Sequence, residues 1–458
     1  MIKYLKDFNL ETESNLCMVA NDTKRTKEIF QTLDLSMDDV KDETWTTIHS
    51  LNKLKAKKIF VIGQNKLEDD EAFEKVMKQF KSMKEDVVLL TDTFSDDEIS
   101  ILSDIVEGIV VNRYSYDQLK TKKDTSKAII YIYGNPSIQE AMDQGMIYGE
   151  SINQAKDYVN TPYNYMRAKD LADKAKALEK YEGVSVKIFD RKAIEEMNMG
   201  AYLGVNQGSS DDPYFIFVDY QASGNQDQPT ALVGKGVMFD TGGYSLKPAK
   251  SMPGMKFDMA GSAAVLAAVE GIARLKLDTH VFAIVAATDN RIGDGALVPD
   301  DVITSANGKT IEIISTDAEG RLTLADAVWF AQKEGAKKII DVATLTGACV
   351  MALSSYYTGA FTNDQTFLDQ VMDASKKAKE KIWQLPLSQE FHKELKSQVA
   401  DLKNKGNRMA GASSAAAFIE NFIDDDTKWV HLDIAGTASD KSQCATGVMV
   451  KTFMKLFS

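Results

Sequence analysis

The chain has 458 residues, more than one hydrophobic core usually spans, and its 44% hydrophobic and 26% charged content is that of an ordinary globular protein. A formal charge of −13 argues against a primary role on nucleic acid or anionic membranes, because phosphate binding needs a cationic face. Three scattered cysteines (Cys17, Cys349, Cys444) form no CxxC pair and four histidines (His49, His280, His392, His431) no HExxH, so any metal site must rest mainly on carboxylates.

The opening "MIKYLKDFNLETESNLCMVAND" has no signal-peptide core, and no apolar run reaches bilayer-spanning length, so a cytoplasmic location is expected. Short β-branched runs follow at "NLCMVA", "KKIFVIG", "DVVLLTD" and "AIIYIYG", separated by charged segments with helical periodicity. They predict a small α/β domain over 1–138 with a largely parallel sheet and no recognisable chemistry. A long helical pattern then runs to Asn160-Thr161-Pro162 and reads as a linker helix over 139–162, stopped by Pro162.

From 163 to 458 the strands become nearly continuous apolar runs: "YFIFVDY", "TALVGKGVMF", "HVFAIVAAT" and "KIIDVATL". Such runs suit central strands buried on both faces. Helical patterns lie between them at "GSAAVLAAVEGIARL", "LTLADAVWFAQKEGA" and "SSAAAFIENFI". The fold class is therefore α/β in two domains, with a mixed sheet sandwiched between helices in the larger, C-terminal one. In such a sheet ligands bind beyond the strands' carboxyl ends.

Three segments carry polar residues that their elements do not explain. In "VGKGVMFDTGGYSLKP", Lys235 interrupts an apolar strand, Asp240 meets the turn Thr241-Gly242-Gly243, and Lys247 follows it. A lysine in a buried strand is costly unless paired or deprotonated, and the alternative is an edge position from which it snorkels to solvent. In "MKFDMAGSAAVLAA", Asp258 stands before a small-residue helix, where capping is the plain reading. In "IEIISTDAEGRLTLADAVWF", Asp317, Glu319 and Arg321 follow a β-branched run; a salt-bridged turn is the plain reading, and alternation puts the two acids on one side if the strand extends that far. Taken together, four carboxylates at neighbouring strand ends would repel one another and be driven toward protonation, unless divalent cations joined them. Oxygen donors with one nitrogen suit zinc, manganese or magnesium, and zinc or manganese best accept an amine. A lysine ligates only as the neutral amine, which burial favours by lowering its pKa.

These segments, with "DVATLTGA", closely resemble the signatures of the leucine aminopeptidase (cytosol aminopeptidase) family of two-metal exopeptidases. Lys235, Asp240, Lys247, Asp258, Asp317, Glu319 and Arg321 match its pattern in order and spacing, and the similarity covers nearly all of 150–458. The resemblance implies a metallopeptidase that removes N-terminal residues, hydrophobic ones such as Leu, from short peptides. One metal would be held by Lys235, Asp240, Asp258 and Glu319. A more exchangeable one would be held by Asp240, Asp317 and Glu319, with Asp240 and Glu319 bridging. Zn or Mn is implied, with Mg or Co in the exchangeable site. Two ions about 3.5–4 Å apart can share and acidify one water. The resemblance makes Lys247 and Arg321 the catalytic pair, Arg321 holding a bicarbonate ion as general base. It puts the first-residue pocket at Met255, Thr344, Leu345, Gly347 and Ala435, and it implies a homohexamer. Departures are Thr241, Ala260 and Ser315, where Ser, Gly and Asn are usual, and the loop 288–302, which has Arg291-Ile292 after Asn290 and Asp300 in place of a glycine.

Two other readings compete. Some members of that family act as DNA-binding accessory factors, so a non-catalytic oligomeric regulator is the alternative. The intact seven-residue set and the acidic balance argue against it. A nucleotide site at "GKT", 308–310, fails because Ile303 stands where a P-loop needs glycine.

Overall fold

The computed structural model describes residues 1–123 and 128–458. It divides into two compact units, Met1–Glu150 and Ser151–Ser458. The divide falls inside the helix Gln139–Asn160, which ends at Asn160 as the Thr161-Pro162 pair requires.

The first unit holds strands β1 (Ile2–Leu5), β2 (Asn15–Val19), β3 (Thr46–His49), β4 (Lys58–Ile62), β5 (Val87–Leu90) and β6 (Ile130–Tyr133). They form one sheet in the order β1-β6-β5-β2-β4-β3, parallel except for the β3–β4 pair. The four expected strands are its middle. The two that sequence reading passed over, β1 and β3, are its edges, where the burial pattern is mixed with solvent-facing residues.

The second unit is built on an eight-stranded mixed sheet. Its strands are β7 (Val184–Phe189), β8 (Tyr214–Gln221), β9 (Thr230–Asp240), β10 (His280–Asn290), β13 (Lys338–Ala343), β14 (Thr358–Thr362), β15 (Ile382–Gln384) and β17 (Lys428–Asp433). Three short strands, β11 (Val302–Thr304), β12 (Thr310–Glu312) and β16 (Leu402–Lys403), make a separate small sheet. The large sheet runs β15-β14-β17-β13-β9-β10-β8-β7, with β9 parallel to both neighbours, β13 and β10.

Residues of β9 alternate between two faces. Ala231 and Val233 pack in one core cluster with residues of the helices Gly320–Lys333 and Gly411–Glu420. On the other face Gly234 lies against the Ala260–Arg274 helix, where an added Cβ would meet Gly261 O at 2.6 Å. Lys235 shares its face with Val233, pointing at the Gly320–Lys333 helix rather than at an edge. The small-residue composition of "GKG" and "AGSAA" thus lets two helices approach a central strand closely enough to enclose one lysine.

Among the described residues, no helix is long and apolar enough to cross a membrane.

Candidate active site

All twelve residues singled out in the sequence line one cavity of about 680 Å³. Lys235 and Asp240 come from β9, both only 2% exposed. Asp240 ends the strand. The turn after it bends back through Gly242 and Gly243, at φ +84° and +59°, a backbone region open mainly to glycine, and this returns Lys247 to Asp240. The Lys247 ammonium lies 2.7 Å from Asp240 Oδ2 and 2.5 Å from Asp317 Oδ1.

Asp258 does not cap the helix that follows it. It sits in the short 3₁₀ turn Met255–Met259, and its carboxylate turns inward. Asp258 Oδ1 accepts from Lys235 Nζ at 2.7 Å and from Thr344 Oγ1 at 2.8 Å. Lys235 Nζ also pairs with Glu319 Oε1 at 2.9 Å and donates to the Thr344 carbonyl at 3.1 Å. Thr344, read from the sequence as pocket lining, therefore holds both members of the Lys235–Asp258 pair.

Asp317 and Glu319 do not stand on a strand of the large sheet. β12 ends at Glu312 in the small sheet, and the chain then turns, so that Glu319 is the residue at the head of the Gly320–Lys333 helix. The β-branched "IEII" run overstates the strand because Ile313 and Ile314 are spent on leading into that turn. Convergence survives because helix and turn deliver the acids to the end of β9. One oxygen each of Asp240, Asp317 and Glu319 lies within 4.8 Å of the others. Asp258 stands outside that group and joins it through Lys235.

Gly320 marks the tightest approach. A Cβ there would lie 2.4 Å from Lys235 Cε and 2.7 Å from its Nζ. Asn290 ties the site together from the next strand, its amide donating to Asp240 Oδ1 at 2.8 Å and to Thr316 O at 2.9 Å. Arg321, 7% exposed, donates from Nη1 to the Asn404 carbonyl at 2.9 Å. The Asn404 side chain in turn accepts from Ile314 N and donates to Ser315 O. Asn404 belongs to no spacing pattern with the acids, so nothing in the sequence marked it.

In the divergent loop, Arg291 is held by Asp289 and Tyr163. Arg291 Nε donates to Asp289 Oδ2 at 2.8 Å, its guanidinium lies 4.3 Å from the Tyr163 ring centre, and the Tyr163 hydroxyl bridges Asp211 and Asp289. Asp300 adopts φ +77°, which is the backbone reason for a glycine at that position.

The charges do not balance among themselves. Four carboxylates against two ammonium groups leave two negative charges in a largely buried cluster; only Asp317, its side chain 36% exposed, reaches solvent. Burial and the neighbouring Glu319 raise the Asp240 pKa to about 6, and burial holds Asp258 well above the ordinary range against the pull of Lys235. Burial also opposes ionisation of Glu319, yet Lys235 and Lys247 keep it ionised.

For Lys235 the expectation from burial alone is reversed. Desolvation lowers its pKa, but Asp258, Glu319 and Asp240 outweigh it, and the ammonium form is held. The magnitudes explain the outcome. A unit pair at hydrogen-bonding distance gains about 6 kcal/mol at an effective dielectric constant near 20. Lys235 has two such pairs against a desolvation cost of several kcal/mol. A neutral Lys235 amine needs another cation to take over those carboxylates.

The donor set passes a direct test for such a cation. Asp258 Oδ2 is buried with no hydrogen-bond partner among the described residues, an acceptor that a cation would satisfy. Arg321 Nε is likewise buried and without a partner on the cavity wall, a donor that an anion would satisfy.

Comparison with known proteins agrees with this geometry. The chain matches the cytosol aminopeptidase family, catalytic domain, over residues 153–454. A probable cytosol aminopeptidase of Chlorobaculum tepidum is 45% identical over 372 residues, 77% of this chain and 74% of that protein. One from Bacillus subtilis is 40% identical over 424 residues, 87% of this chain and 84% of that protein. A tomato leucine aminopeptidase mutant superposes with a TM-score of 0.87 at 28% identity, covering 100% of this chain and 96% of that one. The chain therefore belongs to the cytosol aminopeptidase family, metal-dependent peptidases that act on peptide substrates.

Proposed function

We propose that the chain is a two-metal aminopeptidase of leucyl type. The observation that carries this reading is the meeting of Asp240, Asp317 and Glu319 oxygens within 4.8 Å of one another, with Asp258 joined through Lys235. Lys235, Asp240, Asp258 and Glu319 would hold one divalent ion, and Asp240, Asp317 and Glu319 a second. Zn or Mn suits the set with an amine donor, and Mg or Co suits the all-oxygen one. Bound there, such ions supply Lewis acidity and a nucleophilic water at neutral pH.

The chain's own residues do the rest. Lys247 is held as an ammonium: burial opposes it, but Asp240, Glu319 and Asp317 outweigh the burial. Its Nζ is a fixed donor for the oxygen that gains charge as the scissile carbonyl is attacked. Arg321, its Nη1 fixed by Asn404 and its Nε free of partners, suits a small anion such as bicarbonate. With bicarbonate bound, a proton acceptor would stand where, among the described residues, no histidine lines the cavity. A peptide's free amino terminus would bind an ion held by the acids, which would place the cut after the first residue. Met255, Thr344, Leu345, Gly347 and Ala435 form a wall of apolar or small residues suited to a hydrophobic first side chain. Cytoplasmic location and a hexameric assembly are part of the same reading, on family resemblance.

The test is hydrolysis of leucine p-nitroanilide and of Leu-Gly with measured metal content. Activity that is lost on chelation and restored by Mn²⁺ or Zn²⁺ supports the proposal. Activity indifferent to chelation rejects it.

A further inference from the structure

The charged residues lining the cavity fall into two groups. Lys235, Asp240, Lys247, Asp258, Asp317 and Glu319 are paired with one another, and Arg321 is tied to Asn404. Lys405 and Arg408 belong to neither arrangement. Both line the same cavity, both are exposed, and neither has an acidic partner among the described residues. Among the described residues lining the cavity, these two unpaired cations are the only additional charges.

Their placement is built rather than incidental. Asn404, fully buried, carries the carbonyl that receives Arg321 Nη1, and Lys405 is the next residue. Asn407 N donates to Glu394 Oε2 at 3.2 Å, which anchors the segment again just before Arg408. The strap thus hangs its two cations beside the catalytic centre, tied at Asn404 to the Arg321 guanidinium.

We propose that Lys405 and Arg408 receive the C-terminal carboxylate of short peptide substrates. The preferred substrates are then di- and tripeptides with a free carboxyl end, rather than amidated or C-terminally extended chains. This rests on the aminopeptidase reading above and deepens it. With its amino end held at the metal site of the proposed enzyme, an extended dipeptide reaches only about 7 Å. Its carboxylate must therefore come to rest inside or at the rim of the cavity. Among the described residues lining that cavity, Lys405 and Arg408 are the cations not already committed to an acid or to Asn404, and so are the side chains free to receive it. Longer peptides would carry their carboxylate past this rim and lose the attraction.

The experiment compares kcat/KM for Leu-Gly and Leu-Gly amide on the metal-loaded enzyme, which share everything but the terminal charge. The expected result is a preference of about tenfold for the free acid, shrinking as salt rises because exposed charges are screened within about 8–10 Å. Combined Lys405→Met and Arg408→Met should bring the ratio near one, and combined Lys405→Glu and Arg408→Glu should invert it. Lys405→Arg should keep it. Equal efficiency on the two substrates in the unaltered enzyme, a salt-independent ratio, or a ratio unchanged in the double variant overturns the proposal while leaving the peptidase reading intact. Failure of the unaltered enzyme to cleave either substrate rejects both.

Discussion

The closest contact in the site makes its sharpest prediction. Gly320→Ala adds one methyl group on the first residue of a helix, a change that raises helix propensity by about 1 kcal/mol where nothing obstructs it. Here the methyl would lie 2.4 Å from Lys235 Cε and 2.7 Å from Nζ. Carbon atoms in contact sit about 3.5–4.0 Å apart, so one partner must move by more than about 1 Å. The tip of a lysine usually yields cheaply. This one is 3% exposed and fixed between Asp258 at 2.7 Å and Glu319 at 2.9 Å. Overpacking of a close-packed interior costs about 1–3 kcal/mol. Displacing a catalytic group by about 1 Å costs on the order of a hundredfold in rate. The expected variant unfolds at lower denaturant, binds its first metal about ten- to a hundredfold more weakly, and loses about two orders of magnitude in kcat/KM. Urea unfolding, metal titration and steady-state kinetics read the three effects. Gly295→Ala is the control, its nearest neighbour an ordinary 3.5 Å away. A Gly320→Ala enzyme with unaltered metal affinity and rate would show that the Lys235 position does not matter to the site.

Other outcomes follow from the same contacts. Glu319→Ala should lose bound metal and activity together, since it removes an oxygen from the Asp240–Asp317–Glu319 group. Lys247→Ala should keep metal content near normal while kcat falls about 10²–10³-fold, the usual loss on removing one donor to a developing oxyanion; equal metal loss in both variants would contradict the role given to Lys247. Protons and cations compete for Asp240, whose pKa is raised to about 6 by burial and Glu319. Because the acid binds protons more readily than usual, the affinity of the all-oxygen second site, measured by titration, should fall steeply as pH drops through 6, while the first site, which must also release the Lys235 proton, keeps gaining affinity above pH 7. A pH-independent affinity would refute that competition.

How much of this was legible depended on what each residue had to explain. The strands β9, β10 and β13 declared themselves because strands buried on both faces allow no polar interruption, which is also why Lys235 stood out. Asp258 did not stand out by itself: an acid before a helix reads equally well as a cap, and only the fold shows its carboxylate turned to Lys235 and Thr344. Asp317 and Glu319 stood out as acids between two buried-looking elements, but the strand does not extend to them; β12 stops at Glu312 and a helix head presents Glu319. Asn404 was not legible as a site residue because its carbonyl and its side-chain amide both act on partners far away in the chain. The net protonation of Lys235 in the metal-free site was not legible for a related reason. Burial is written in the pattern of neighbours along the strand, whereas the partners that reverse its effect arrive from distant turns.

The direct test is anomalous diffraction from crystals soaked in Mn²⁺ or Zn²⁺. Two peaks per chain are predicted, both bounded by Asp240 and Glu319, one adjoining Asp258 Oδ2 and the other Asp317. An active enzyme whose peaks lie elsewhere, or which shows none, would contradict the account at its foundation.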